Sequence, residues 1–213
     1  MVASEIVSSV TREPEAARQA MSVDEWADMP EDEPGELVDG YLAEEEMPGL
    51  LHEIVVSWLM RVLGSWAAPR GGLVFGSEAK FAVSARSGRK PDLTMYLPGH
   101  PALPRRGAVR IPPDVAIEIV TPTPRDVRRD RVEKVDDYAA FGIRYYWIVD
   151  PEQLTFEIFE LGADGRYVRA LGATGGTLTT VPRCDGLVMD LDELWREGEK
   201  LGGADPEPEP ESR

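Results

Sequence analysis

Three charged residues could do chemistry together: Asp92, Glu118 and Lys134. Glu118 lies inside the apolar run 114–121, where a lone carboxylate is costly unless a cation or hydrogen bonds compensate it. Asp92 follows Pro91 at the start of a second apolar segment. Two carboxylates can hold Mg²⁺, with Mn²⁺ as an alternative, because such hard cations prefer oxygen ligands. A metal held there would polarise a phosphate and lower the pKa of a bound water.

Lys134 is the candidate cation for this site. It shares one helical face with Tyr138 and Phe141, at steps of four and three residues. We therefore expect the Lys134 side chain to point toward the sheet, where its ammonium group could orient the attacking water or stabilise charge on the phosphate. The backbone carbonyl of Ile119 is a further candidate metal ligand.

The hydrophobic pattern predicts the elements that position these residues. Strands are predicted over 90–96 and 114–121, and the second should be buried on both faces because it is nearly all apolar. A helix should run from its N-cap Thr123 to Gly142, where a glycine ends it. Further strands are predicted at 73–75, 79–83, 145–149, 155–159, 166–170 and 177–181.

The remaining segments complete a mixed α/β pattern. Ser22 and Glu25 fit a capping box that opens a short helix. Residues 36–43 are typical of a hairpin about Asp39-Gly40, and 84–89 of a polar turn. Long and short helices are predicted over 49–68 and 190–195, respectively. We thus expect a mixed central β-sheet flanked by helices.

Charge and composition restrict the class of protein. The net charge is −16, which argues against simple electrostatic attraction to nucleic acid. Residues 1–35 contribute −7 and residues 197–213 contribute −4, which leaves −5 for the core. The single cysteine, Cys184, excludes an internal disulfide framework and permits a reducing compartment. No apolar run is long enough for a membrane span. We predict a cytoplasmic protein without a membrane partner.

We predict three regions along the chain. Residues 1–20 lack periodicity and should form a mobile N-terminal extension. Residues 21–196 should form one domain, which is long enough to bury a substantial core. Residues 197–213 should form a disordered tail, since they are acidic and rich in proline.

The ordered motifs resemble a known family. The order Pro91-Asp92 and then Glu118-x-Val120 is similar to the PD-(D/E)xK nuclease superfamily, and the whole core resembles the Uma-two family of restriction endonucleases. The matching segments are Glu36-Leu-Val-Asp-Gly40, Pro91-Asp92, Pro113 to Pro122 with Glu118, Lys134-x-x-x-Tyr138, and Gly142 to Pro151 with its YYWIVDP strand.

The resemblance implies a restriction-endonuclease-like fold and a metal-dependent endonuclease, often dimeric. Val120 stands where the superfamily has its lysine, so the resemblance suggests that Lys134 has taken over that role. It implies that Asp92 and Glu118 bind Mg²⁺ or Mn²⁺ and that Lys134 assists the attacking water. The expected partners are nucleic acid, with DNA favoured, and a second copy of the chain in a homodimer.

Each of these residues also has a structural interpretation. Asp92 alone could be a turn or cap aspartate. Glu118 could form a structural salt bridge with an arginine such as Arg131, and Lys134 could extend along the edge of the apolar stripe toward water.

Further site candidates have similar alternatives. Glu36 is a possible additional acidic ligand, or else a surface glutamate of a strand. His52 could serve as a general base or lie near the phosphate, or be a partly exposed histidine without a role. Four arginines could contact phosphates or balance acidic neighbours on a solvated helix face; they are Arg125, Arg128, Arg129 and Arg131.

Two classes of function follow, and a nuclease could also act on RNA or on branched DNA. The first is Mg²⁺-dependent hydrolysis of nucleic-acid phosphodiester bonds by an endodeoxyribonuclease, favoured by Asp92, Glu118 and Lys134. The second is a non-catalytic module that keeps the nuclease fold and meets a protein partner through its acidic surface, favoured by the net charge.

Overall fold

The structure, a computed structural model, describes residues 20–30, 35–43, 48–121 and 129–202, with residues 129 and 130 described by their backbone alone. The strands are β1 (Glu36–Val38), β2 (Tyr41–Ala43), β3 (Leu73–Gly76), β4 (Phe81–Ala82), β5 (Gly88–Arg89), β6 (Leu93–Tyr96), β7 (Val115–Ile119), β8 (Tyr145–Asp150), β9 (Thr155–Leu161), β10 (Tyr167–Ala173), β11 (Thr177–Leu178) and β12 (Met189–Asp190). The α-helices are α1 (Val23–Ala27), α2 (Leu50–Ala67), α3 (Lys134–Phe141) and α4 (Leu191–Glu199).

A six-stranded mixed sheet forms the centre, in the order β10-β9-β8-β7-β6-β3. Only the β7–β8 pair of this sheet is parallel, since α3 lies in the crossover between them. The predicted mixed sheet with flanking helices is confirmed. β7 lies between β6 and β8, and all five of its residues are buried. This is the doubly buried central strand that its apolar sequence predicts.

The two faces of the sheet carry different cores. Alternation along β7 turns Ile117 and Ile119 toward α2, where they join a large apolar cluster. Ala116 and Val120 face the opposite way and pack with Tyr138 of α3. Glu118 shares the face of Ala116 and Val120, so its carboxylate is directed toward α3.

A second sheet has four strands, in the order β2-β1-β5-β4. β1 and β2 form the predicted hairpin, with Asp39 at φ 51° and Gly40 at φ 88° in the turn. The predicted polar turn over 84–89 is wrong in its last residues. Gly88 and Arg89 form β5, and both are buried.

Several predicted boundaries change slightly. The capping box of Ser22 and Glu25 is present at α1. Gly142 ends α3 at φ 93°, as predicted. The start of the predicted helix, 123–128, lies outside the described residues, and a turn of π-helix over Arg129–Glu133 leads into α3. α4 continues through Glu199, so residues 197–199 are helical rather than part of a tail. Residues 1–19 of the predicted extension 1–20, and residues 203–213, lie outside the described residues.

Gly88 is predicted to tolerate no side chain. A Cβ atom added there would lie 2.4 Å from the indole ring of Trp26, which is itself buried. We expect Gly88→Ala to lower the free energy of unfolding by about 1–3 kcal/mol, the usual cost of overpacking. Urea denaturation measures this change.

Gly64→Ala in α2 is the matched control, because an added Cβ there meets nothing within 4 Å. It should stabilise the protein by roughly 1 kcal/mol through helix propensity alone. Equal destabilisation by both variants would contradict the packing of Gly88 against Trp26.

Candidate active site

Glu118 and Lys134 form a buried ion pair between the sheet and α3. The Nζ of Lys134 lies 2.8 Å from Oε2 of Glu118, and their side chains are only 4% and 2% exposed. The prediction that Lys134 points toward the sheet is confirmed, and the alternative of a lysine extended into water is wrong. The cation that a lone carboxylate in an apolar strand needs therefore comes from the next helix.

Tyr138 completes the contact with Glu118. It lies one helical turn after Lys134, and its hydroxyl donates a hydrogen bond to Oε1 of Glu118. Burial and the charges of Glu118 and Glu36 raise the pKa of Tyr138 well above its ordinary value. The phenol therefore stays protonated and remains a donor. Steps of four residues on α3 thus place both groups on one carboxylate.

Asp92 directly precedes β6 and reaches the strand that carries Glu118. Its Oδ2 accepts a hydrogen bond of 2.7 Å from the N–H of Ile119, the residue after Glu118. Its Oδ1 lies 3.1 Å from Nε2 of His52. Burial acts to raise the pKa of Asp92, but the hydrogen bond and charge of His52, the charge of Lys134 and the Ile119 N–H lower it overall. Asp92 is therefore ionised at neutral pH. Its partners, Ile119 and His52, are distant in the sequence, so Asp92 is not a local turn or cap aspartate.

His52 lies on α2, the first long helix, and its side chain reaches Asp92. Its side chain is 11% exposed and contacts Asp92, while a role for it stays a prediction. Burial acts to lower the pKa of His52, yet the hydrogen bond and charge of Asp92, with a contribution from Glu53, raise it overall. Its Nδ1 is buried and has no hydrogen-bond partner among the described residues.

Glu36 belongs to the same site and is buried rather than on the surface. One oxygen accepts 2.8 Å from the N–H of Lys90, and the other accepts 2.9 Å from Nη1 of Arg89. Nζ of Lys134 lies 3.8 Å from Glu36, so Lys134 faces two carboxylates. The hairpin of β1 and β2 is thereby joined to α3.

Arg89 is a member of this network that sequence reasoning missed. It is 2% exposed and also contacts Asp137 of α3, at 2.6 Å from Nη2. The charges of Glu36 and Asp137 outweigh burial and raise the pKa of Arg89. The sequence places Tyr138 on the apolar face of the helix and in the segment Lys134-x-x-x-Tyr138, but it does not predict the hydrogen bond to Glu118. The sequence offered one signal for Arg89, which is its position two residues before Pro91-Asp92. That position alone is too weak a signal to predict that the side chain is buried.

Arg131 is the arginine before α3 whose side chain the structure describes, and it does not contact Glu118. Arg131 lies 2.8 Å from Glu157 and 3.4 Å from Asp150, so its predicted alternative pairing with Glu118 is wrong. Arg125, Arg128 and the side chain of Arg129 lie outside the described residues. Their contact with nucleic acid stays a prediction, as does the metal role of the Ile119 carbonyl.

The acidic side chains of the site can be compared with the ligands that a hard cation requires. Among the described residues, no group of three or more carboxylate, histidine or cysteine side chains is arranged to hold a metal. Mg²⁺, however, is often bound by one or two carboxylates and keeps waters as its other ligands. Asp92 and Glu118 are two such carboxylates, linked through the backbone of Ile119. They would hold the ion.

The contact between His52 and Asp92 predicts a pH-dependent stability. The pKa of His52 is raised above its ordinary 6.5, so its contribution is present below that pH and is lost as pH rises through the folded-state value. The pKa of Asp92 is lowered below 3.8, so its contribution holds above that pH and is lost on acidification. We expect His52→Gln to cost roughly 1–2 kcal/mol at pH 5 and less at pH 8, measured by urea unfolding.

The control for this prediction is the same substitution in an Asp92→Asn background. There the pH-dependent part of the cost should disappear, because the amide offers no charge to the imidazolium. A cost of His52→Gln that is the same at pH 5 and pH 8 would contradict the ion pair.

The fold is similar to that of a solved protein, a putative nuclease belonging to DUF820 from Anabaena variabilis, with a TM-score of 0.65. The two sequences are 19% identical, and the match covers 84% of this chain and 99% of that chain. The chain is therefore an α/β protein with the fold of that protein, and its buried acidic and lysine side chains meet at the middle of the central sheet.

The chain belongs to the Uma2 family, described as putative restriction endonuclease, whose model matches residues 22–191. The resemblance seen in the ordered motifs is thereby confirmed. No curated protein matches the sequence. Within the described part of the chain, none of the helices has the length and apolar character that crossing a bilayer requires.

Proposed function

We propose that the protein is a metal-dependent endonuclease that hydrolyses phosphodiester bonds of DNA. The observation that carries the proposal is the arrangement of Asp92, Glu118 and Lys134. Asp92, just before β6, accepts from the N–H of the residue after Glu118, and Lys134 of α3 pairs with Glu118. Membership of the Uma2 family and the fold shared with a protein described as a nuclease support it. Mg²⁺ as the metal, with Mn²⁺ as an alternative, is part of this proposal.

Each residue of the site would have its own role in the proposed reaction. Asp92 and Glu118 would hold the cation, which when bound would polarise the scissile phosphate and lower the pKa of a water. Lys134 would place its ammonium group beside that water or the developing phosphorane charge. Tyr138, a protonated donor, orients the Glu118 carboxylate.

Two further side chains, those of His52 and Glu36, would set the positions of these groups. His52 and the Ile119 N–H hold the two oxygens of Asp92. Glu36, held by Arg89 and the Lys90 N–H, keeps a second negative charge 3.8 Å from Lys134. That charge favours the ammonium form of the lysine. A homodimer and a cytoplasmic location stay predictions.

Titration calorimetry with Mg²⁺ and then Mn²⁺ tests the metal site directly. We expect heat of binding for the wild type and its loss in Asp92→Ala and in Glu118→Ala. Glu193→Ala is the matched control, because this glutamate lies on α4 and is 43% exposed in a pair with Arg61. Circular dichroism should show that all variants are folded.

The absence of binding by the wild type, with and without an oligonucleotide present, would overturn the proposed metal site. The acidic protein-interaction module would then be the better account of the chain. Binding that persists in both variants would place the cation elsewhere and would equally contradict the proposal.

A further inference from the structure

Two arginines stand apart from the acidic character of the protein. Arg105 and Arg106 lie in the proline-rich segment between β6 and β7, and both are exposed. Within the described residues, neither side chain forms a hydrogen bond or an ion pair. Arg110, close by in the sequence, is different because it pairs with Asp24. The proposed catalytic groups do not use this unpaired positive charge.

Both arginines border a cavity of about 460 Å³ that is separate from the candidate active site. This volume is within the range of small-ligand sites. Three aromatic side chains line it: Phe75, Phe81 and Tyr96. Phe81 and Tyr96 are buried, whereas Phe75, on the edge strand β3, is 36% exposed. The cavity therefore offers one accessible aromatic surface backed by a fixed apolar wall.

The polar groups of the cavity are of two kinds. The ammonium group of Lys80 donates to the carbonyls of Met29 and Pro30, so it is part of the wall. The carboxylates of Asp28 and Glu78 also lie at the cavity. Carboxylates repel phosphate, but they accept hydrogen bonds from the amino group of a base such as cytosine. Aromatic surface, carboxylate acceptors and guanidinium groups together suit a base with its phosphate.

The cavity faces the same side of the central sheet as Glu118 and Lys134. Phe141 of α3 packs both against the cluster next to Glu118 and against the cluster of Phe81 and Tyr96. Tyr96 lies four residues after Asp92 along β6, a Cα separation of roughly 13 Å at the rise of a strand. That separation is about four steps along one strand of B-form DNA. One strand can therefore reach both places.

We propose that this cavity binds an unpaired nucleobase, with the base on Phe75 and the flanking phosphates on Arg105 and Arg106. Stacking on an aromatic ring and contact with arginine are how single strands are commonly held. The inference rests on the proposed nuclease function, because the bound strand is the one that would continue to Asp92. The same chemistry would also accept a free nucleotide.

Fluorescence anisotropy in EDTA with a labelled single-stranded DNA oligonucleotide of mixed sequence tests the cavity without any metal. We expect the double variant Arg105→Ala with Arg106→Ala to bind at least about tenfold more weakly. The slope of log Kd against log salt should also fall by about 1.4, at about 0.7 for each lost phosphate contact. Arg166→Ala with Arg183→Ala is the charge-matched control, since both are exposed arginines that do not line the cavity.

A second variant reports on the base itself. Phe75→Trp should keep binding and show quenching of its fluorescence when the oligonucleotide binds. Phe75→Leu should lose affinity while keeping the salt slope, because it removes the aromatic ring and not a charge. Quenching that is lost in the double arginine variant would show that one cavity holds both the base and the phosphates.

Competition with a deoxynucleoside monophosphate separates the two sources of ligand. If it displaces the oligonucleotide only weakly, the cavity serves a strand; if it binds as tightly, the cavity serves a free nucleotide. Equal oligonucleotide binding by the wild type and the double arginine variant, or none by either, would overturn the inference. The calorimetry on Asp92→Ala described above tests the nuclease proposal independently of these outcomes.

Discussion

Asp92→Asn is expected to lower the rate of metal-dependent phosphodiester cleavage by about a thousandfold or more. The change removes a negative charge from the proposed metal site, and a metal's contribution to such a transition state is several kcal/mol, with each 1.36 kcal/mol worth a factor of ten. Asparagine keeps the size of aspartate and an oxygen that can accept from the Ile119 N–H. The fold should therefore survive, and the loss should appear in kcat at saturating substrate.

The measurement is single-turnover cleavage of labelled plasmid or oligonucleotide DNA in Mg²⁺ and in Mn²⁺. Glu193→Gln is the matched carboxylate-to-amide control on α4, and we expect it to cleave at the wild-type rate. Wild-type activity in Asp92→Asn would remove Asp92 from the catalytic groups. Activity in the wild type that survives EDTA would exclude the metal-dependent scheme.

Lys134→Met is expected to affect both stability and activity. Removing one partner of a buried ion pair usually costs about 3–5 kcal/mol, because the remaining charge loses its compensation. Here the carboxylate of Glu118, 2% exposed, would lose the ammonium group 2.8 Å away. Loss of the same positive charge from the transition state should lower kcat by about a hundredfold to a thousandfold. Denaturant unfolding and single-turnover cleavage measure the two effects.

A double variant separates these two effects. Glu118→Gln with Lys134→Met removes both charges, so it should recover much of the lost stability while cleavage stays at least as slow as in Lys134→Met. Lys200→Met is the surface control; its pair with Glu197 is 66% and 33% exposed and is worth little, at most about 1 kcal/mol. If Lys134→Met were as stable as the wild type, the ion pair would not stabilise the fold. Full activity in that variant would contradict the role of the lysine.

Local pattern was enough to predict the scaffold of the site. An apolar run with one carboxylate predicts a central strand that needs a cation, and β7 with Glu118 is that strand. The helical register of residues 134–141 predicts that Lys134 and Tyr138 share the buried face, which they do. The hairpin of 36–43 follows from Asp39-Gly40. In each case the determining interactions lie within a few residues of one another, so periodicity and turn chemistry record them.

Only the tertiary structure showed which distant charges are buried together. Glu36 and Arg89 are 53 residues apart, and neither lies in a segment whose pattern marks it as interior. β5 is two residues long, too short for any period to show, and the side chain of its Arg89 is held by Glu36 and Asp137. His52 reaches Asp92 from another element altogether. Burial of Glu36 and Arg89 depends on partners that the fold supplies, and the sequence near these two residues carries no record of those partners.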